Sequence, residues 1–230
     1  MIELRKSGDR GHTQLEWLES RHSFSFAHYY DPGNMGHGPL RVINEDWIEP
    51  RSGFPAHPHR DMEILTYMLS GTLTHRDSEG NEVEIRPGRI QHMHAGRGIV
   101  HSELNYDRHV PVHLLQIWIE PDAHGIDPGH TELDFRLEPG EPTVLASPGG
   151  ERGGVSLRQD ATLSALALEP GQSAEIRFDA ARKGWVQVVG GSGHAHGLAL
   201  EAGDGLRLEA VETLAVSGTT PVELLVFDLP

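Results

Sequence analysis

Two short motifs in the first half of the chain have the residue types and spacing of metal ligands. His57-Pro-His59 is the first, and His101-Ser-Glu103 is the second. On a β-strand, residues two apart project to the same face, so each motif would present two donor side chains together. If the two strands are neighbours in a barrel, the four donors converge on one point inside it. Of 16 histidines, only two lie beyond residue 130, which also places the chemistry in the first half.

The donor types narrow the metals that such a site would bind. The chain has no cysteine, so thiolate ligands are excluded and the site must use nitrogen and oxygen. Imidazole and carboxylate suit first-row divalent metals. We expect iron(II), with manganese, cobalt, nickel, copper and zinc as alternatives. Glu63 shares the strand parity of His57 and His59, so the residues alone also admit it as a ligand or as a group behind the ligands.

The segments that would carry these residues are short runs of apolar or alternating character, separated by glycine and proline. This pattern predicts an all-β protein built from barrels or sandwiches. No long segment has a strong 3.6-residue period, so we expect few, short helices. The clearest predicted strands are Glu63–Leu69, Val83–Ile85, Val112–Ile119, Val186–Val189 and Val222–Leu229.

An internal repeat indicates that the chain contains two related barrels. Gly71 and its surroundings match Gly191 at an offset of 120 residues, and the offset falls to 110 where VHLLQIWIEP matches VELLVFDLP. A shrinking offset is expected if the second copy has shorter loops. We therefore predict an N-terminal metal-binding barrel over residues 1–136 and a C-terminal barrel over residues 137–230.

The second copy lacks the ligands. At the offset of 120, His57 and His59 fall on Arg177 and Asp179, and no His-x-Glu occurs where the second motif would be repeated. We expect the C-terminal barrel to be structural or to help shape a cavity, and to hold no metal.

Charge and hydropathy limit the partners. The formal net charge is −15, and the 19 basic residues are scattered, so we expect no direct nucleic-acid binding. An acidic surface suits a basic protein partner better. No apolar run approaches the roughly 20 residues that span a bilayer, and the first residues lack a signal-peptide pattern. We therefore expect no membrane association and a cytoplasmic location.

Several segments resemble the pirin family of the cupin superfamily, densely from residue 1 to residue 121 and more thinly afterwards. The matching segments are FSFAHYYDP from Phe24, LRVINED from Leu40, HPHRDMEILTY from His57, GIVHSE from Gly98, QIWI from Gln116, WVQVV from Trp185 and LLVFDL from Leu224.

The resemblance implies a bicupin, two tandem antiparallel β-barrels of the double-stranded β-helix or jelly-roll type. It also implies a divalent metal, iron in particular, in the N-terminal barrel. The ligands that match the family are His57, His59, His101 and Glu103. The resemblance therefore favours Glu103 over Glu63 as the carboxylate ligand.

The chain is most similar to bacterial pirin-like quercetin 2,3-dioxygenases. That similarity implies opening of a flavonol ring by O2 with loss of carbon monoxide. Glu103 would be the catalytic residue that takes the proton of the substrate's 3-hydroxyl. Phe54, Met62 and Leu115 are candidates for apolar walls around the planar substrate, or are plain barrel core. Two other functions stay open: a non-enzymatic metal- or redox-sensing co-regulator that binds a protein partner, and a metal-bound barrel acting on another small metabolite.

Overall fold

Almost all of the regular secondary structure is β-strand, as the short apolar runs predict. The computed structural model describes all 230 residues, which form 22 strands and two single 3-10 turns, Ser7–Asp9 and Glu151–Gly153. No helical segment has the length and hydropathy needed to cross a membrane.

The strands are numbered in chain order. Those before residue 136 are β1 (Ile2–Arg5), β2 (Gly11–Gln14), β3 (Leu18–His22), β4 (Leu40–Ile48), β5 (Ser52–His59), β6 (Glu63–Ser70), β7 (Leu73–Asp77), β8 (Glu82–Ile85), β9 (Arg89–His94), β10 (Ile99–Asn105), β11 (Val112–Ile119) and β12 (Gly129–Asp134). Those after it are β13 (Thr143–Pro148), β14 (Val155–Leu157), β15 (Thr162–Leu168), β16 (Ser173–Arg177), β17 (Lys183–Gly190), β18 (Ser192–Ala195), β19 (Leu198–Glu201), β20 (Gly205–Glu209), β21 (Thr213–Gly218) and β22 (Val222–Leu229).

Residues Gly11–Phe135 form one compact unit of two sheets. The seven-stranded sheet has the order β12-β9-β6-β11-β4-β3-β2, and the four-stranded sheet has the order β5-β10-β7-β8. All pairings in this unit are antiparallel. Apolar side chains of the two sheets pack together, Leu73 and Ile85 from the smaller sheet meeting Ile48, Met68 and other residues of the larger one.

The second unit comprises Met1–Arg10 and Arg136–Pro230. Its sheets have the orders β1-β20-β17-β22-β15-β13-β14 and β16-β21-β18-β19. The four central strands of the larger sheet and all four strands of the smaller one repeat the order of the first unit, with β6 matched by β17 and β11 by β22, whereas the sheet edges differ, β13 and β14 pairing in parallel. The chain is therefore a bicupin, and the predicted fold class is confirmed.

The structural units differ from the predicted ranges at the start of the chain. Strand β1 pairs with β20 at the edge of the second unit's larger sheet, with Ile2 opposite Leu208. That edge position is the one that β12 takes in the first unit. The predicted range 1–136 therefore includes eleven residues that belong to the other structural unit, Met1–Arg10 and Arg136.

The interiors of the two units differ in polarity. The second unit has one continuous cluster of 14 buried apolar residues, including Val188, Leu214 and Val216. In the first unit, buried polar side chains lie among the apolar ones: Asn44, Thr66, His75, Gln91, His101, Glu103 and Gln116. A buried polar group costs stability unless it is hydrogen-bonded, so this polar interior indicates a site.

Two glycines test how tightly the second unit's turns are built. Gly191 and Gly171 have nearly the same left-handed φ, +77° and +79°, but a Cβ at Gly191 would lie 1.8 Å from the Pro221 carbonyl oxygen, whereas one at Gly171 meets nothing within 4 Å. We expect Gly171→Ala to cost about 1 kcal/mol of unfolding free energy and Gly191→Ala at least about 3 kcal/mol. Urea unfolding followed by circular dichroism measures both; equal losses would contradict the predicted backbone clash.

Candidate metal centre

Strands β5 and β10 bring the two predicted motifs together. They pair antiparallel, and His57 lies directly opposite His101. The register then shifts, so that Glu103 lies opposite Phe54 and β5 holds one extra residue. Pro55 lies within this bulge, and proline is common in bulges because it has no N–H to pair. The sequence therefore folds so that both motifs lie on adjacent strands of one sheet.

Three imidazoles converge at this point. One ring nitrogen from each of His57, His59 and His101 lies within 4.8 Å of the other two, close enough for the three to hold one metal ion. The ring centroids are 4.8 Å apart for His57 and His59, 4.4 Å for His57 and His101, and 4.8 Å for His59 and His101. His101 is buried, and the other two are half-buried.

The hydrogen bonds of His57 show that this arrangement fits a cation. Its Nδ1 lies 2.8 Å from the Pro55 carbonyl oxygen, which only accepts, so Nδ1 carries the proton of the neutral ring. Its Nε2 therefore presents a lone pair 3.0 Å from His101 Nε2. Two ring nitrogens this close need a proton or a metal ion at their meeting point.

The electrostatics keep the rings of His59 and His101 neutral, the state that binds metals. Burial, together with the neighbouring His101 and His57, lowers the pKa of His59 to about 4. Burial, with His57 and His75 adding to it, lowers the pKa of His101 to about 3. Each of these two rings therefore has an unprotonated nitrogen that can bind a metal ion at neutral pH.

Glu103 is buried and held by two neighbours. Gln116 Nε2 donates to its Oε2 at 2.8 Å, and the Thr66 hydroxyl lies 3.4 Å from its Oε1. With His75 and His101 it forms a second group of closely spaced donors, and it lines the same cavity as His57 and His59. The four predicted residues thus surround one region, with His101 shared by both groups.

Glu63 belongs to neither group. Its Oε2 lies 2.7 Å from His92 Nε2, and both side chains are 1% exposed. Glu63 has the same parity in the sequence as His57 and His59, but it does not share their strand. Strand β5 ends at His59, and β6, which carries Glu63, lies in the other sheet. The alternative of Glu63 as a ligand is therefore not supported by its position.

A cavity of about 480 Å³ opens onto these residues. Its apolar wall includes Leu15, Leu18, Phe26, Phe54 and Trp118. Its polar wall comes from alternate residues of three adjacent strands: Ser20 and His22 of β3, Asn44 and Asp46 of β4, and Gln116 of β11. The volume is within the range of pockets that hold small organic ligands.

The polar wall is ordered by strand register. Gln116 and His22 both lie opposite Asn44 on the strands that flank it. His22 Nδ1 is 2.8 Å from Asn44 Oδ1, and Ser20 Oγ donates to Asp46 Oδ1 at 2.5 Å. This row of fixed hydrogen-bonding groups lines the cavity together with the apolar side chains.

Asp46 titrates abnormally. Burial raises its pKa from 3.8 to about 7, the Ser20 hydrogen bond acting in the opposite direction. Folding therefore favours the protonated acid, and the stability that this gives is lost as the pH rises from about 4 to 7.

Asp46→Asn, which mimics the protonated acid, should leave stability unchanged below pH 4. Above pH 7 it should raise the unfolding free energy by on the order of 3 kcal/mol. Urea unfolding of metal-free protein at pH 4 and pH 8 measures this. Asp134→Asn is a control of opposite sign, because Arg89 lowers the pKa of Asp134. An equal gain from Asp46→Asn at both pH values would refute the pKa argument.

Known proteins resemble this chain over its full length. The Pirin family profile matches residues 3–119, and the quercetinase C-terminal cupin domain matches residues 144–229. The quercetin 2,3-dioxygenase of Escherichia coli strain K12 is 44% identical over 230 residues, which cover 100% of this chain and 99% of that protein. The chain belongs to the pirin family. The resemblance seen in its sequence motifs is thereby confirmed.

Solved pirin structures share the fold. YhhW from Escherichia coli matches with a TM-score of 0.97 and 42% identity, covering 100% of this chain and 98% of that one. A complex of the bacterial pirin YhhW with nickel(II), also from Escherichia coli, matches with a TM-score of 0.96 and 42% identity, covering 100% and 99%. A related pirin therefore binds a divalent metal.

Of the three candidate wall residues in this pirin, only Phe54 lines the cavity. Met62 packs against the cluster of Ile64, Met93, Ala95 and Ile99. Leu115 is buried next to Gln116 in β11 and points to the opposite face of that strand, because neighbouring residues alternate. For Met62 and Leu115 the structure therefore supports the alternative of a core position.

Sequence reasoning also missed polar residues of this pirin's site, among them His75, Asp77 and Gln116. A signal was present, since His75-Arg-Asp77 has the same spacing of two as the ligand motifs. What the sequence lacked was the pairing of β7 with β10, which places Asp77 opposite His101 and His75 opposite Glu103.

Proposed function

We propose that this protein is a metal-dependent dioxygenase that opens the ring of a flavonol such as quercetin. The observation that carries the proposal is the convergence of three imidazoles beside a cavity that His57, His59 and the buried carboxylate of Glu103 line together with apolar and polar side chains. The relatives named quercetin 2,3-dioxygenase support the reaction class. In that reaction one O2 is consumed and one carbon monoxide is released per substrate.

We propose His57, His59, His101 and Glu103 as the metal ligands. Nitrogen and carboxylate donors suit iron(II), our candidate ion, and the same donors accept nickel(II). The bound ion would act as a Lewis acid that lowers the pKa of a coordinated hydroxyl. It would also offer coordination positions that the protein does not fill.

Glu103 is proposed as the group that accepts the proton of the substrate hydroxyl. A carboxylate is a suitable acceptor for a hydroxyl proton. The hydrogen bond from Gln116 Nε2 to Oε2 fixes the orientation of the carboxylate. The Thr66 hydroxyl, 3.1 Å from Gln116 Oε1, in turn holds the amide.

The cavity walls fit a flat molecule with several hydroxyls. Phe26 and Phe54 line the cavity, and Trp118 also lines it, with its ring 4.9 Å from that of His59. Such rings stack favourably on aromatic substrates. Asn44 and Asp46, which also line the cavity, would bind the substrate hydroxyls, because such polar groups cost affinity when they are left unpaired.

The test is oxygen uptake with quercetin by protein loaded with iron(II) or nickel(II), together with carbon monoxide release. We expect metal-dependent uptake of one O2 per quercetin and none by the metal-free protein. Uptake without carbon monoxide would indicate another oxidation. No turnover of quercetin or any aromatic diol, with metal-dependent capture of a protein partner, would instead support a non-enzymatic co-regulator.

A further inference from the structure

His75 and Asp77 lie directly behind the candidate ligands. Both are on β7, next to β10, and both side chains are fully buried. His75 Nδ1 is 3.3 Å from His101 Nδ1, and His75 Nε2 is 3.0 Å from Asp77 Oδ2. The three side chains form one hydrogen-bonded series that leads from the carboxylate to the imidazole at the centre of the cluster.

Asp77 determines the direction of this series. Its Oδ1 accepts the backbone N–H groups of Glu79 and Asn81, each at 3.0 Å, and its Oδ2 accepts Asn81 Nδ2 at 2.9 Å. A carboxylate held by three donors is an acceptor, so the proton between it and His75 belongs to His75 Nε2.

The remaining protons follow from that assignment. With its proton on Nε2, a neutral His75 has only a lone pair at Nδ1, which faces Gln91 Nε2 at 3.1 Å and His101 Nδ1 at 3.3 Å. His101 must then donate from Nδ1, which leaves its Nε2 without a proton. That is the nitrogen 3.0 Å from His57 Nε2.

We propose that Asp77 and His75 are positioning residues that hold His101 in the tautomer whose Nε2 binds the metal. Metal-bound histidines commonly donate their second ring N–H to a fixed acceptor, which sets the tautomer and the ring orientation. The proposal rests on the metal centre of the proposed function, and it does not depend on the substrate or the reaction.

Asp77→Asn tests the direction of the hydrogen bonds while keeping the shape. The two backbone N–H groups at Oδ1 must still meet an oxygen, so the amide nitrogen of the variant has to take the place of Oδ2. It would donate to His75 Nε2 and force the proton of His75 onto Nδ1. His101 Nδ1 would then accept, and its own proton would move to Nε2, where it blocks the metal.

We expect Asp77→Asn to weaken nickel(II) binding by about 10- to 100-fold, measured by competition with a chelator. Asp107→Asn is the matched control. Asp107 Oδ1 accepts two backbone N–H groups, from His109 and Val110, and no imidazole bonds to its carboxylate. The Asp107→Asn variant should bind nickel(II) as tightly as the wild type. An affinity of Asp77→Asn within twofold of this control would overturn the proposal.

Nitrogen-15 NMR of the histidine rings gives a second readout, with zinc(II) as a diamagnetic probe. In the wild type we expect protons on His75 Nε2 and His101 Nδ1, and a proton on His75 Nδ1 in Asp77→Asn. If the His75 ring of the wild type carried its proton only on Nδ1, the proposed direction of the hydrogen bonds would be refuted, even if the variant failed to fold. A wild type that binds neither metal would refute the metal centre, whereas metal binding without quercetin turnover would refute only the proposed reaction.

Discussion

His101→Ala is expected to abolish metal retention and oxygen uptake together. His101 is shared by both groups of closely spaced donors, and it is the residue through which β10, β5 and β7 meet. Changes to groups behind a metal ligand already weaken binding 10- to 100-fold, so loss of a ligand should cost more than about 100-fold. Elemental analysis of purified protein should then find little metal, and oxygen consumption with quercetin should fall to the level of the metal-free protein.

The matched control for this variant is His94→Ala. His94 lies on β9, and its Nε2 bonds to the Asp127 carbonyl oxygen at 2.9 Å, outside both donor groups. It should keep one metal per chain and full activity. If His101→Ala bound nickel(II) or iron(II) as tightly as His94→Ala, the proposed ligand set would be wrong.

The part of the site that could be predicted from the sequence is the part set by strand periodicity. His57 and His59 share a face because they are two apart on one strand, and the same holds for His101 and Glu103. The all-β fold and the internal repeat of two units could be predicted for a similar reason, since turn residues and repeated apolar runs are local signals in the sequence.

Features that depend on pairing between strands distant in the chain could not be predicted from the sequence. Glu63 has the right parity but lies on a strand of the other sheet, where it pairs with His92. The spacing of His75 and Asp77 was visible, but not that β7 pairs with β10. Likewise, nothing local in Ile2–Arg5 indicates that this strand pairs with β20. Edge pairing of this kind depends on long-range contacts that single-sequence patterns do not encode.

The two units fill their interiors in different ways. The second unit fills its interior with a continuous apolar cluster, whereas the first keeps Glu103, Gln116 and Thr66 bonded to one another in the same space. Replacing apolar core with a hydrogen-bonded network gives up packing in exchange for a fixed carboxylate next to a cavity. We therefore expect turnover to depend strongly on this carboxylate, even when the metal is bound.

Glu103→Gln is expected to lower kcat for quercetin by about 10²- to 10⁴-fold, the range for loss of a general base. The amide is nearly the same size and keeps an oxygen for the Gln116 donor, but it cannot take a proton. Measurements at saturating metal separate this loss from weaker binding, because the three imidazoles remain. We expect the variant to retain bound metal under those conditions and to show oxygen uptake that is slow at every quercetin concentration.

Glu45→Gln is the control for removing a buried carboxylate from this unit. Glu45 lies on β4 between Asn44 and Asp46, so it points to the opposite face, where His113 Nε2 is 2.9 Å from its Oε1. Its amide variant should keep kcat within about threefold of the wild type, since general-base losses are far larger. If Glu103→Gln behaved like Glu45→Gln at saturating metal, Glu103 would at most be a ligand, and the proton of the substrate hydroxyl would have to leave by another route.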